Sequence, residues 1–458
     1  MRQSSGGAAE GDRGRGKLAV LAGAGLLAAS LILADAGVAP FRTWAYQLSW
    51  YPLLLLVDGA HAWSTGRFAL FGRLRFAVSL FLWSAPVWFV FEVVNVRLAN
   101  WFYVNVPAAE ALRWPGYVTA FATVLPAIYL PDRWLRLRLG DGDVAGPSIP
   151  VGRAGRRVVF AAGVLFLALP LWRPDWFFPL VWGATALLLE PWNHARDPES
   201  SLLGDLERGR YGRIVRLLLA GLAAGLAWES MNVVAGTRWI YTVPGLEAVK
   251  IFEMPPLGFV GFTVFGLECR VMYRALVNAG VAVEGWDGPE DGGTGAGGGA
   301  GLRPGRTAGA ALLAAAFCVV ASMGMDRWTV ASTRPTLDGL PGVSAETSAA
   351  LRSAGIDGVP GLADSDSVEV ARAGGLPPAR AGEMVRVARL AELRGLGARN
   401  AGLLVRGGIG DVCALARTGE ERAARLLAEA TDVREAGHRR RVRVWLRAAG
   451  EACPAAGG

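Results

Sequence analysis

Lysine is almost absent: Lys17 and Lys250 stand alone, and arginine carries nearly all of the basic charge. A net charge of +8 that arises in this way, beside an excess of Gly and Ala, reads as a GC-rich coding bias and not as a polyanion-binding footprint. Histidine and cysteine are scarce as well. His61, His194 and His438 lie far apart, and Cys269, Cys318, Cys413 and Cys453 form no Cys-x-x-Cys, so the spacing supports neither a metal site nor a disulfide framework. No Gly-rich phosphate loop and no nucleophile elbow occurs, and neither metal nor cofactor is expected. Charged residues make up only 19% of the chain against 52% hydrophobic ones, and the mean hydropathy is +0.33, which excludes an ordinary soluble protein.

What is present is a series of apolar runs. A helix needs about 17 to 25 apolar residues to cross the hydrocarbon layer. Nine candidate spans follow: 18–38, 44–64, 76–97, 115–134, 157–172, 175–192, 214–235, 255–277 and 308–325. Arginine is concentrated in alternate loops, from Arg13, Arg15 and Lys17 through Arg153, Arg156 and Arg157 to Arg303 and Arg306. The opposite loops hold only Arg42, Arg97, Arg113, Arg173, Arg238 and Lys250, which predicts a cytoplasmic N-terminus. Nine crossings then place everything after about residue 326 outside the cell membrane.

The chain repeats itself. "FEVVNVRLANWFY" (91–103) echoes "WESMNVVAGTRWIY" (228–241), so that Glu92 matches Glu229, Asn95 matches Asn232, Trp101 matches Trp239 and Tyr103 matches Tyr241. Weaker echoes upstream and downstream extend each copy to four spans, 18–134 and 157–277, joined by a cytoplasmic loop, 135–156. The first span, although followed by the signal-peptidase-like Ala34-Asp35-Ala36, is therefore needed to complete its copy. Four is even, so the copies are parallel and related by an axis along the membrane normal. A cytoplasmic segment (1–17) precedes them; a glycine-rich linker (284–306) and a ninth, tethering span (308–325) follow.

Glu and Asn at i and i+3 share one helix face. At 1.5 Å per residue, Glu92 with Asn95 and Glu229 with Asn232 fall in the outer third of the bilayer, followed by the interface-seeking Trp101, Tyr103, Trp239 and Tyr241. A carboxylate inside a bilayer is costly, about 2.5–3.5 kcal/mol on insertion scales, and marks a buried strut or a binding site. These eight residues are the candidate ligand site. Asp58, Glu190 and Glu268 have no evident counterparts; Glu268, opposite Pro126, is either a proton-handling candidate for catalysis or a partner for Arg270 or Arg274. The stretch from this second polar helix through "FEMPPLGFVGF" (252–262) resembles one segment of the small membrane-embedded lycopene cyclases, in which a Trp/Tyr loop precedes a Pro-Leu-Glu-Glu type motif. Met254 to Gly258 lacks the paired acids, so the resemblance does not imply acid-catalysed ring closure here.

After residue 334 the composition becomes charged and glycine-punctuated. "LDGLPGVSAETSAALRSAGIDGVPGLA" (337–363) parallels "LRGLGARNAGLLVRGGIGDVCALA" (393–416), and the region 334–450 resembles tandem helix-hairpin-helix modules. The resemblance implies that Gly395 and Gly397, flanked by Arg394 and Arg399, approach a phosphate closely. The one dense basic run is "HRRRVRVWLR" (438–447). The expected protein is thus an all-α, multi-pass membrane helix bundle whose exported tail engages a protein partner or DNA; the alternative is a transporter or lipid-active enzyme that uses the intramembrane acids.

Overall fold

The computed structural model describes residues 3–140, 144–245, 249–288, 302–429 and 435–453. In chain order the helices of the apolar part are α1 (Gln3–Asp35), α2 (Ala45–Thr65), α3 (Leu74–Leu98), α4 (Glu110–Phe121), α5 (Val124–Leu139), α6 (Arg153–Trp172), α7 (Pro174–Phe177), α8 (Ala184–Arg196), α9 (Leu202–Glu207), α10 (Gly212–Val234), α11 (Gly258–Asn278) and α12 (Pro304–Trp328). The tail contributes α13 (Ala345–Ser353), α14 (Gly358–Asp364), α15 (Ser367–Gly374), α16 (Pro378–Glu392), α17 (Gly397–Arg406), α18 (Val412–Ala416), α19 (Glu420–Ala428) and α20 (Glu435–Ala452). Two short strands, β1 (Trp101–Val104) and β2 (Arg238–Tyr241), interrupt an otherwise helical chain.

Five helices among the described residues are long and apolar enough to cross a membrane: Gly11–Asp35, Leu74–Leu98, Arg153–Trp172, Gly212–Val234 and Pro304–Trp328. They are the first, third, fifth, seventh and ninth of the expected spans. The intervening four are helical but different in kind. α2 carries buried Ser49, Asp58 and His61; the fourth breaks between α4 and α5; the sixth breaks into α7, a 3-10 turn and α8 at Gly183, whose φ of 109° no bulky residue adopts readily; α11 holds Glu268, Arg270 and Arg274. Helices covered by other helices need not be apolar all round, which is why hydropathy alone treats the two sets as equals.

The chain divides into two compact units, one of Met1–Leu98, Trp114–Gly236 and Pro244–Ser322, the other of Ala99–Arg113, Thr237–Val243 and Met323–Gly458. In the first unit α1 packs on α2 as α6 packs on α8, and α5 packs on α3 as α11 packs on α10; α5 also reaches α10, and α11 reaches α3. Glycine sets the closeness of these crossings. A Cβ on Gly23 would lie 2.7 Å from the Leu56 backbone, one on Gly163 2.7 Å from Leu188, and one on Gly225 2.5 Å from the Phe262 ring; Gly221 and Gly266 likewise meet backbone carbonyls of the facing helix. Between helices that gain nothing from leaving water, such contact is the main source of association. Because Leu217 meets Gly266 and Gly221 meets Phe262, α10 and α11 run antiparallel.

The expected linker begins later than its composition suggests. Residues 289–301 lie outside the described residues, but Val281 to Gly288 are built into the first unit as a strap. Trp286 is 2% exposed, with its ring 5.4 Å from that of Tyr129 and 5.9 Å from that of Tyr273, and its Nε1 donates to Asp132 at 3.0 Å. Glu284 pairs with Arg274, Asp287 pairs with Arg270, and Arg73 donates to the Gly285 carbonyl at 2.7 Å. Glycine either side of an indole reads as flexibility until the indole has somewhere to go.

In the second unit the tail helices enclose a core that includes Leu351, Val359, Met384, Leu390, Leu404, Leu427 and Trp445. Its two similar stretches end their leading helices in the same way. The Ile356 N–H bonds to Leu351 O (3.0 Å) after left-handed Gly355, and the Ile409 N–H bonds to Leu404 O (2.8 Å) after left-handed Gly408. Cys413 and Cys453 form a disulfide, which their spacing in the sequence gave no ground to expect.

Trp286→Ala is expected to destabilise the membrane-embedded unit by about 3–5 kcal/mol, the usual cost of removing a buried indole. Thermal unfolding of the purified chain in detergent measures this; an unchanged midpoint would show that the strap is not part of the fold.

Candidate functional site

Glu92 and Asn95 on α3 and Glu229 and Asn232 on α10 are all fully buried. One turn before Glu92, Trp88 Nε1 donates to its Oε1 at 2.9 Å, a bond that the i to i+4 spacing of a helix supplies. The residues immediately before the two acids, Phe91 and Trp228, converge on a single ring. Phe265 of α11 lies edge-on to Phe91 at 5.2 Å and to Trp88 at 5.5 Å, and 6.0 Å from Trp228. Trp182 closes the cluster, stacked on Phe91 at 5.7 Å. Aromatic residues of α3 and α10 beside the two acids therefore share one hub in Phe265.

The remaining acids act on backbone. Asp58 accepts from the N–H groups of Ala69 (2.7 Å), Leu70 (3.1 Å) and Phe71 (2.7 Å), and Glu190 accepts from the N–H of Leu203 at 3.0 Å. In both cases the bond spans 13 residues, Asp58 to Phe71 and Glu190 to Leu203, and each precedes a glycine, Gly72 or Gly204. Two acids read from sequence as having no evident counterparts thus make bonds of the same span, through side chains of different length. Glu268 is fully buried and accepts from the Thr185 N–H (3.1 Å) and Oγ1 (2.7 Å) at the first turn of α8. A carboxylate at a helix N-terminus meets orphan amides and the positive end of the dipole. Its expected partners are engaged elsewhere: Arg270 with Asp287 and the Ser200 carbonyl, Arg274 with Asp197 and Glu284.

Trp101, Tyr103, Trp239 and Tyr241 are strand residues of the second unit. β1 and β2 pair antiparallel, Trp101 opposite Tyr241, Phe102 opposite Ile240 and Tyr103 opposite Trp239. The other edge of β1 is covered by the chain leaving α12, through Tyr103 N–H to Thr329 O (2.9 Å), Ala331 N–H to Tyr103 O (2.8 Å) and Arg334 N–H to Val106 O (2.8 Å). Arg113 holds the same loop with a fork to Asp326, Nε to Oδ1 at 2.8 Å and Nη2 to Oδ2 at 2.6 Å. These four aromatic residues therefore face a folded domain, whereas composition had assigned them to the lipid interface.

The helix-hairpin-helix residues lie in this unit too. Gly395 (φ 72°) and Gly397 (φ 79°) have the conformation expected of a hairpin. Their bare faces are occupied: a Cβ on Gly395 would lie 2.5 Å from Val104 and one on Gly397 2.5 Å from Ser332, whose Oγ donates to the Gly395 carbonyl. Arg399 is exposed, while Arg394 is half-buried at φ 41°. In the basic run, Arg441 is buried over the Phe102 ring at 5.5 Å and bonds to the Trp328 carbonyl; Arg440 donates to Ala99 O at 3.3 Å; Arg443 pairs with Glu420 at 2.9 Å. Burial lowers the Arg441 guanidinium to about 10.

No protein-family model, curated protein or solved structure matches the chain. Among the described residues no group of His, Cys, Asp or Glu is arranged to hold a metal ion. Sequence reasoning missed the strap, the Asp58–Glu190 correspondence and the disulfide. Only the first carried a signal, an isolated Trp within a glycine-rich stretch.

If Glu268 serves as a cap, Glu268→Gln keeps an acceptor for Thr185 and leaves folding near normal. Glu268→Leu orphans two donors, at about 1–3 kcal/mol each. Comparing the two unfolding midpoints in detergent checks this; an equal loss in both variants would mean that the carboxylate has a role beyond accepting hydrogen bonds.

Proposed function

We propose that this is a multi-pass membrane protein of the binding or docking type, built on a duplicated four-helix unit, with its N-terminus in the cytoplasm and its tandem helix-hairpin-helix tail outside, engaging a protein partner. One observation carries the reading. The loops that follow α3 and α10 fold into the same unit as residues 323–453, so tail and loops lie on one side of the membrane, and those loops are the arginine-poor ones. The strand register supports the duplication: Phe102 meets its own counterpart Ile240, while Trp101 and Tyr103 each meet the counterpart of the other, which is the contact a twofold axis makes. The shared 13-residue bond of Asp58 and Glu190 supports it independently.

Protein docking is favoured over DNA because the features that would hold phosphate are used within the unit. The hairpin glycines abut Val104 and Ser332, and Arg440, Arg441 and Arg443 have protein partners. Phosphate contacts supply most of the affinity of such modules for duplex. The transporter or lipid-active alternative draws on Glu268, whose contact with Thr185 is that of a cap.

Arg399 offers a direct test. Cys413 and Cys453 are joined, and Cys269 and Cys318 are buried, so Arg399→Cys introduces one exposed thiol. A membrane-impermeant maleimide should label this variant in intact cells. Labelling only after lysis would place the tail inside and remove the proposal. The full-length chain in detergent should also leave duplex DNA unretarded at low salt; retardation abolished by Arg394→Ala with Arg399→Ala would favour the nucleic-acid reading.

A further inference from the structure

The tail has one covalent feature that neither its composition nor the proposed docking role requires. Cys413 lies in α18 and Cys453 follows α20, with Cα atoms 5.1 Å apart and a sequence separation of 40. Cysteines Cys269 and Cys318, in the apolar helices α11 and α12, are reduced and buried. The pairing is thus confined to the unit assigned to the outside, where thiols are oxidised and stay so.

The bond also sits where the unit needs fixing. α20 is the helix that lays Arg440, Arg441 and Trp445 over the first outer loop: the Trp445 ring is edge-on to that of Phe102 at 6.3 Å, and Arg440 holds the Ala99 carbonyl. Its C-terminal end packs on α18, a five-residue helix with little surface of its own. Closing a 40-residue loop removes freedom from the unfolded chain more effectively than a short helical contact could supply order.

We propose that Cys413 and Cys453 are an oxidised pair in the mature protein, installed after export by a thiol–disulfide oxidoreductase of the outer compartment, and that the bond locks the C-terminal end of α20 onto α18. In the exchange a Cys thiolate attacks the sulfur of the oxidoreductase disulfide, releasing one of its thiolates. The second Cys thiolate then attacks the mixed disulfide and releases the other. Two protons leave the pair, and its two electrons reduce the oxidoreductase disulfide to a dithiol. The inference rests on the outer placement of the tail.

The experiment counts thiols in the full-length chain taken directly from cells into acid, denatured and treated with a mass-tagging maleimide. Two tags are expected before reduction and four after it; four before reduction overturns the proposal. Cys413→Ser should give three tags without reduction, and should lower the unfolding midpoint of the tail by on the order of 10 °C. An unchanged midpoint would remove the lock while leaving the modification. A phosphatase fusion at the C-terminus, active only outside, separates the two readings. Activity with four free thiols sinks the disulfide alone, whereas an inactive fusion sinks the placement on which it rests.

Discussion

The four-residue pairing of Trp101–Val104 with Arg238–Tyr241 is the contact on which the second unit depends. Each strand begins within a few residues of the end of a membrane helix, β1 after α3 and β2 after α10, so the ladder fixes the separation of the chains that leave those helices. A two-stranded ribbon is marginal by itself. Here β1 gains a second neighbour in residues 329–334, and the face of the ribbon is covered by α20 through Phe102, Trp445 and Arg441. The tail is consequently a domain completed by two loops of the membrane part, and residues 334–458 taken alone would lack the strand against which Gly395 packs.

Inside the apolar unit the governing constraint is that carboxylates must be satisfied without water. Asp58, Glu190 and Glu268 meet it in one way, by accepting backbone N–H groups at a turn or a helix start. Charge-assisted bonds of this kind are about twice as strong as neutral ones, and they place the cost of a buried acid against the cost of orphaned amides. The same acids that suggest ion passage when read from sequence hold loops in place. The arginines follow the same rule. Arg216 meets Asp132 at 3.2 Å, and Arg270 and Arg274 meet Asp287, Asp197 and Glu284, so that charge is cancelled locally at the end of the bundle where the strap lies.

Sequence carried the helical class and the apolar helices, because these rest on local periodicity and composition. It was less informative wherever the decisive partner is distant. Hydropathy cannot tell α3, which exposes Val78, Leu82 and Val93, from α11, whose Arg270 and Arg274 are neutralised by residues 10 to 77 positions away. The Asp58–Glu190 correspondence was hidden because the side chains differ by a methylene and only their 13-residue reach is shared. Trp101 and Tyr103 illustrate the opposite error. An amphipathic ring beside a membrane helix is enriched at the lipid boundary, but a backbone free to pair made these residues part of a sheet.

The bundle is tied at the end where the strap lies, and this bears on the kind of function it can have. α10 and α11 run antiparallel, so the strap that follows α11 lies at the end of the bundle away from the point where β2 follows α10. At the strap end, Trp286 and its acidic neighbours join α5 of the first half to α11 of the second. In the second unit the β1–β2 ladder pairs the chain segments that follow α3 and α10 in sequence. Alternating access requires the halves to part at one end while they close at the other. Parting at the strap end would break a set of buried ion pairs around an indole, and the breakage of a single buried pair costs about 3–5 kcal/mol. Bracing at the strap end weighs against a rocking carrier and accords with the docking role proposed above.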